Sequence, residues 1–505
     1  MNYFAAIEKV ISQSPEDELL TTTENIRYNR GDILKRVAQM ANLITELGAS
    51  PGDRITVQIH KSVDAMCLYL ACLQSGMVFH PLNPAYLSTE VQYFLGNAEP
   101  YIIICDPEKL NALTDLAKPL GIAHIYTLGT AGNGNFLEAC ASQPESFKTV
   151  DRNKNDLAAL LYSSGTTGVP KGIMLTHHNL KSNAETLVEA WGFTPEDRLL
   201  HCLPIFHVHG LFVALGCALL SSGTMRWANA FSPQTVKTYL PECTSMMGVP
   251  TYYTRLLGDK DFGFDHCKNI RLFTSGSAPL LVETFVEFKS RSGHNILERY
   301  GMTETGMNCS NPLNGDRKPG TVGPTLPGVT IRIVSDDGQP TPRGEVGNLQ
   351  VKGENVFKGY WRMPEKTDED FRDGGWFNTG DQATQDNDDY VSIVGRSKDM
   401  VISGGLNVYP KEVEDVIDMF DGILESAVIG VPHPDFGEAV VAIVVAERGA
   451  NPEPLRIIDQ AQAELANFKV PKHVQIVDAL PRNTMSKVQK KVLREELKGL
   501  FSQRA

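Results

Sequence analysis

The sequence predicts an α/β protein. The expected architecture is a large N-terminal domain of two α/β sheet subdomains plus a small β-barrel-like subdomain, with a smaller mobile α+β C-terminal domain. Three observations carry this. Helix-like and strand-like segments alternate through the first 330 residues, a pattern that builds parallel sheets covered by helices. Between about 324 and 395 the texture changes to short strands separated by Gly, Pro and Asp turns, which reads as a small all-β subdomain. From 397 to the end, helices and strands alternate again without a long linker. The expected division is 1–396 and 397–505, with a hinge at Lys398.

The elements are justified in order. Residues 33–44, ILKRVAQMANLI, place apolar side chains at helical spacing. Residues 54–59 and 101–105, RITVQI and YIIIC, are short β-branched runs. Residues 157–161, LAALL, are an apolar run, and residues 178–190 read as a helix. Strands are expected at 330–334, 347–351 and 390–394. In the last part, 411–417 and 453–466 read as helices, and 427–431 and 440–445 as strands.

Bulk properties narrow the function. The chain has 505 residues, 42% hydrophobic and 21% charged, ordinary values for a globular enzyme with room for large cores. A net charge of -13 argues against nucleic-acid binding. No apolar run is long enough to span a bilayer, and the first twenty residues resemble neither a signal nor a transit peptide. The nine cysteines are scattered with no C-x-x-C pair, so they read as thiols of a reducing compartment. The expected location is cytoplasmic.

Residues 162–172, YSSGTTGVPKG, join an apolar run to a helix. Glycine lets backbone N–H groups converge on an anion, hydroxyls donate further bonds, and Lys171 adds a point charge suited to phosphate. The segment is not a P-loop, because Gly172 follows Lys171 where a Ser or Thr would hold magnesium. From the loop alone, a solvated turn rich in Ser and Gly stays open.

Four more motifs follow: YGMTET at 300–305, WFNTGD at 376–381, GRSKD at 395–399 with SGG at 403–405, and PRNTMSK at 481–487. Together and in this order they resemble the adenylate-forming superfamily of acyl-CoA synthetases, adenylation domains and luciferases. The resemblance covers nearly the whole chain. It implies an acid–thiol ligase: a carboxylate attacks the α-phosphate of ATP, pyrophosphate leaves, and the thiol of CoA displaces AMP from the acyl-adenylate.

The resemblance also implies residue roles. Ser163, Ser164, Gly165, Thr166, Thr167 and Lys171 would cradle the ATP phosphates. Gly276, Ser277, Ala278 and Pro279 would line the adenine with Glu298, Tyr300 and Gly301 alongside. Thr303 would meet the α-phosphate, and Glu304 would hold Mg²⁺. Asp381 would face the ribose hydroxyls, and Arg396 the ribose or the phosphates. Lys487 would bridge the acyl carboxylate and the α-phosphate; because neutralising it would remove that charge, a lysine acyltransferase acting on Lys487 is an expected partner. Gly404 and Gly405 would line the channel for the CoA arm after the second domain turns at Lys398. Ser486 stands where the family usually has Gly, which sets that loop differently.

Arg299 bears on the choice of acid. It precedes the YGMTE motif, at the expected wall between nucleotide and acyl pockets, and a buried guanidinium needs an anionic partner. That partner is either a second carboxylate of the substrate or an acidic side chain such as Glu298. His207, Arg255, Ser277 and Met302 are further candidates for the acyl pocket. ERYGMTET at 298–305, NVFKGYWRMPE at 355–365 and NVYPKE at 407–412 resemble malonyl-CoA synthetases in particular. The expected reaction is malonate, ATP and CoA to malonyl-CoA, AMP and pyrophosphate, with methylmalonate as a second substrate. The alternatives are a synthetase for short-chain or aromatic monocarboxylates, and a catalytically silent nucleotide-binding paralogue.

Overall fold

A computed structural model of the chain describes residues 2–163, 170–277, 280, 282–335, 337–396, 401–408, 410–447, 449–481 and 488–502. The first sheet has six strands in the order His124–Thr127, Ile102–Cys105, Arg54–Gln58, Val78–Pro81, Leu157–Ser163, Lys171–Thr176. All neighbours are parallel except the last pair, an antiparallel hairpin. The second sheet has eight strands and runs from Gly306–Ser310 and Leu297–Met302 through Leu272–Ser275, Ser245–Gly248, Arg198–His201 and Thr224–Trp227 to Glu18–Thr22 and Arg27–Asn29.

One core joins the two sheets. It includes Ile55 and Val57 from the first, Leu20, Leu199 and Trp227 from the second, and the helices between them. The helix Val63–Ser75 is buried at all 13 positions, as its apolar character on every face requires. Lys61, just before that helix, ties the sheets together. Its ammonium donates to the carbonyls of His201 (2.8 Å) and Ala228 (2.7 Å) and lies 4.2 Å from the Trp227 ring centre. Residues just past the carboxyl ends of Arg54–Gln58, Val78–Pro81, Arg198–His201 and Thr224–Trp227, among them Lys61, Leu82, Cys202 and Asn229, line one cavity, the usual place for a ligand in open α/β sheets.

The third sheet is the all-β segment. Its five strands, Val329–Val334, Gly347–Gly353, Phe371–Arg372, Trp376–Gln385 and Val391–Arg396, pair antiparallel throughout. A short helix, Pro364–Asp370, interrupts it. The fourth sheet belongs to the last part of the chain and has five strands, the longest being Ile423–His433 and Gly437–Ala446. Helices Pro410–Ile417 and Pro454–Glu464 cover one face of it, and Lys490–Leu497 covers the other.

Candidate active site

Two antiparallel strands flank the glycine-rich segment. Ser163 stands opposite Lys171 at the end of the Leu157–Ser163 and Lys171–Thr176 strands. Ser164, Gly165, Thr166 and Thr167 lie outside the described residues. Lys171 is held from the third sheet: its ammonium donates to the Tyr360 hydroxyl at 3.1 Å, lies 4.3 Å from that ring centre, and is 3.8 Å from the Asp370 carboxylate.

The YGMTE motif also forms a hairpin. Leu297–Met302 returns antiparallel along Gly306–Ser310, so Thr303, Glu304 and Thr305 make the tip. Gly301 is required there, because a Cβ would lie 2.0 Å from the Gly306 carbonyl oxygen. Glu304 is buried, and its carbonyl accepts the Phe357 N–H at 2.7 Å. Thr303 lines a small cavity with Asn183, Val208 and Phe212. Met302 is half-buried against the main core. The Tyr300 hydroxyl donates to the carboxylate of buried Asp381, and Asp381 pairs across the third sheet with Arg396. Two of the expected nucleotide contacts, Tyr300 and Asp381, thus meet. Glu298 is also buried and accepts the Gly320 N–H at 3.3 Å. Burial pushes its carboxyl up to about 7.

Arg299 is only 3% exposed, and its Nε and Nη2 have no hydrogen-bond partner. Among the described residues it has no ion-pair partner either; Glu298, its neighbour on the strand, is engaged with Gly320. Burial lowers the guanidinium to about 10, which still leaves it charged at neutral pH. Gly276 makes the room: a Cβ there would lie 2.4 Å from Cζ and Nη1 of Arg299. The next residue, Ser277, has φ +71°, a left-handed conformation that costs a residue with a side chain about 1–2 kcal/mol. Its hydroxyl is 3.4 Å from Nδ1 of His209. His209 is buried and His207 is half-buried. Desolvation, with the Arg299 charge second, lowers His207 to about 4 and His209 well below its ordinary value. A lone buried cation beside two neutral imidazoles is chemically a receptor for an anion.

Arg255 does not join this cluster, which corrects the expectation. Its guanidinium forms a bidentate pair with Asp435 of the last part of the chain, at 2.8 and 2.9 Å, and it is partly exposed. A cation whose fork is already filled offers little to a substrate. Gly404 and Gly405 form the turn between Val401–Ser403 and Leu406–Val408, and a Cβ on Gly405 would lie 3.1 Å from Val249. The Gly404–Gly405 turn therefore abuts the large domain. Ala278, Pro279, Lys398, Ser486 and Lys487 lie outside the described residues. Sequence reasoning missed His209, Tyr360 and Asp370. The spacing in HVHG offered a signal for His209, but nothing local marks the other two.

The chain belongs to the AMP-binding enzyme family, whose model matches residues 7–361; the family's C-terminal domain model matches residues 412–487. Among its relatives is the mitochondrial malonate–CoA ligase ACSF3 of Bos taurus, 34% identical over 95% of this chain and 88% of that protein. Among solved structures, ATP-bound MatB from Rhodopseudomonas palustris is 48% identical, with 99% of this chain and 100% of that one covered and a TM-score of 0.78. A malonyl-CoA ligase complex with methylmalonyl-CoA and AMP is 32% identical, covering 95% and 100%, with a TM-score of 0.81. No helix among the described residues is long and apolar enough to cross a membrane.

Proposed function

We propose that this chain is an ATP-dependent malonyl-CoA synthetase that converts malonate, ATP and CoA into malonyl-CoA, AMP and pyrophosphate, and that it also accepts methylmalonate. The observation that carries the choice of acid is Arg299, a buried and charged guanidinium with two unpartnered nitrogens. A dicarboxylate supplies what it lacks. One carboxylate pairs with Arg299 beside Ser277, His207 and His209, and the other is left to react. Met302 forms part of the apolar wall.

The phosphates rest against Ser163, Ser164, Gly165, Thr166, Thr167 and Lys171, which neutralise charge as two anions are brought together. Adenine lies along Gly276, Ser277, Ala278 and Pro279 with Tyr300 against it, and Asp381 accepts from the ribose hydroxyls with Arg396 nearby. Thr303 donates to the α-phosphate. Magnesium suits this donor set, since it is commonly held by one or two carboxylates plus substrate phosphates, and Glu304 is the carboxylate offered here; when bound it screens phosphate charge. Lys487 stabilises the charge that builds between the acyl carboxylate and the α-phosphate. Gly404 and Gly405 leave space for the arm of CoA, whose thiol then displaces AMP. All nine cysteines are buried and free, which suits the reducing compartment expected of such an enzyme.

Arg299→Gln tests the assignment. The variant is expected to lose about 10³-fold or more in kcat/KM for malonate, while KM for ATP changes by less than about threefold. Unchanged malonate kinetics in Arg299→Gln would remove the dicarboxylate reading.

A further inference from the structure

The last part of the chain meets the large domain through a buried ion cluster that the chemistry above does not use. Lys469 is 2% exposed. Its ammonium donates to Glu90 of the large domain at 2.7 Å and to Glu412 of its own domain at 2.6 Å. It also lies 4.7 Å from the Tyr86 ring centre and 5.5 Å from that of Phe468. Glu90 and Glu412 both sit in the first turns of helices, Ser88–Ala98 and Pro410–Ile417. Desolvation opposes the charge on Lys469, but Tyr86 and the two carboxylates outweigh it and hold the ammonium above its ordinary value. Two further contacts link the large domain to the last part of the chain: the Thr89 hydroxyl donates to the Glu464 carbonyl at 3.4 Å, and Arg255 pairs with Asp435.

This seating selects one face of the small domain. Glu412 and the Pro454–Glu464 helix lie on the sheet face covered by Pro410–Ile417. Leu480 and Val488, which flank the segment carrying Lys487, pack on the opposite face with the Lys490–Leu497 helix. The contact made here therefore brings Gly405 to Val249, and the flanks of Lys487 lie away from it.

We propose that Lys469, through Glu90, is a positioning residue for the second half-reaction: it holds the small domain in the arrangement that transfers the acyl group to CoA, and it is dispensable for adenylate formation. The proposal rests on the two-step reading given above. A desolvated cation between two carboxylates is costly to break by removing one partner. The Arg255–Asp435 pair, with side chains 44% and 41% exposed, contributes far less. Loss of Lys469 thus shifts the population away from the seated arrangement.

The test separates the half-reactions in the full-length chain. Malonate-dependent exchange of pyrophosphate into ATP reports adenylation, and loss of the CoA thiol reports transfer. Lys469→Met and Glu90→Gln are measured singly and together. Glu90→Gln keeps an oxygen to accept the Leu87 N–H that Glu90 now caps, so it tests the ion pair from the other domain. The expected result is exchange within about twofold of the parent, transfer slowed about tenfold or more, and a double variant no slower than Lys469→Met alone. Parallel loss of both half-reactions, or no change in transfer, overturns the proposal. If the parent exchanges pyrophosphate only with another acid, the malonate reading fails and the same comparison is made with that acid.

Discussion

Arg299 owes its position to a residue with no side chain. Gly276 lets the guanidinium lie against the backbone, and a methyl group there would sit 2.4 Å from Cζ. Gly276→Ala is therefore expected to raise KM for malonate by about tenfold or more with little change in thermal stability, because the guanidinium moves rather than the strand; steady-state kinetics with malonate and with ATP varied in turn measure this. Glu298 behaves differently. Its folded value of about 7 lies above the ordinary 4.5, so the folded state binds the proton more tightly. Stability from this group is full below about 4.5 and is lost as pH rises through about 7, by on the order of 3 kcal/mol. Glu298→Gln is expected to flatten that slope in denaturant titrations made across this pH range. Arg299 was legible in the sequence because it abuts the YGMTE motif. Its isolation was not, since the sequence left Glu298 open as a partner and only the strand geometry sends that carboxyl to Gly320.

At the scale of elements, strands and long helices were legible because their apolar period is strong. The expected helix at 33–44 lies within Arg30–Glu46, and the expected strand at 440–445 lies within Gly437–Ala446. The helix Pro364–Asp370 was not legible. Its sequence, PEKTDED, is polar at every position after the proline and buries nothing, so no hydrophobic period marks it. Yet it delivers Asp370 to Lys171. The glycine turn at 404–405 was legible as a turn, but its contact with Val249 depends on how the small domain is seated. Gly405 has φ +78° and a Cβ there would lie 3.1 Å from Val249. Gly405→Ala is expected to slow thioester formation about tenfold while pyrophosphate exchange persists, through backbone strain and the close approach together. Equal slowing of both steps contradicts that account of the turn.

At the scale of the whole molecule, two sheets share one core and each turns the carboxyl ends of two strands to a common crevice. Two of the motifs made part of that architecture legible, because YGMTET at 300–305 and SGG at 403–405 fall at the turns of antiparallel strand pairs. The cross-links did not show in the sequence: Lys61 to His201, Lys171 to Tyr360 and Lys469 to Glu90 span 140, 189 and 379 residues. A buried lysine reads locally like a solvated one, and only the fold supplies its partners. The central claim is that this crevice joins a dicarboxylic acid to CoA. The most direct measurement offers the purified protein ATP, Mg²⁺ and CoA with malonate, methylmalonate, acetate, octanoate or benzoate, and follows AMP release and loss of free thiol together. The account predicts both signals with malonate and methylmalonate and neither with the monocarboxylates. Thiol loss with acetate, octanoate or benzoate in preference to malonate would contradict it.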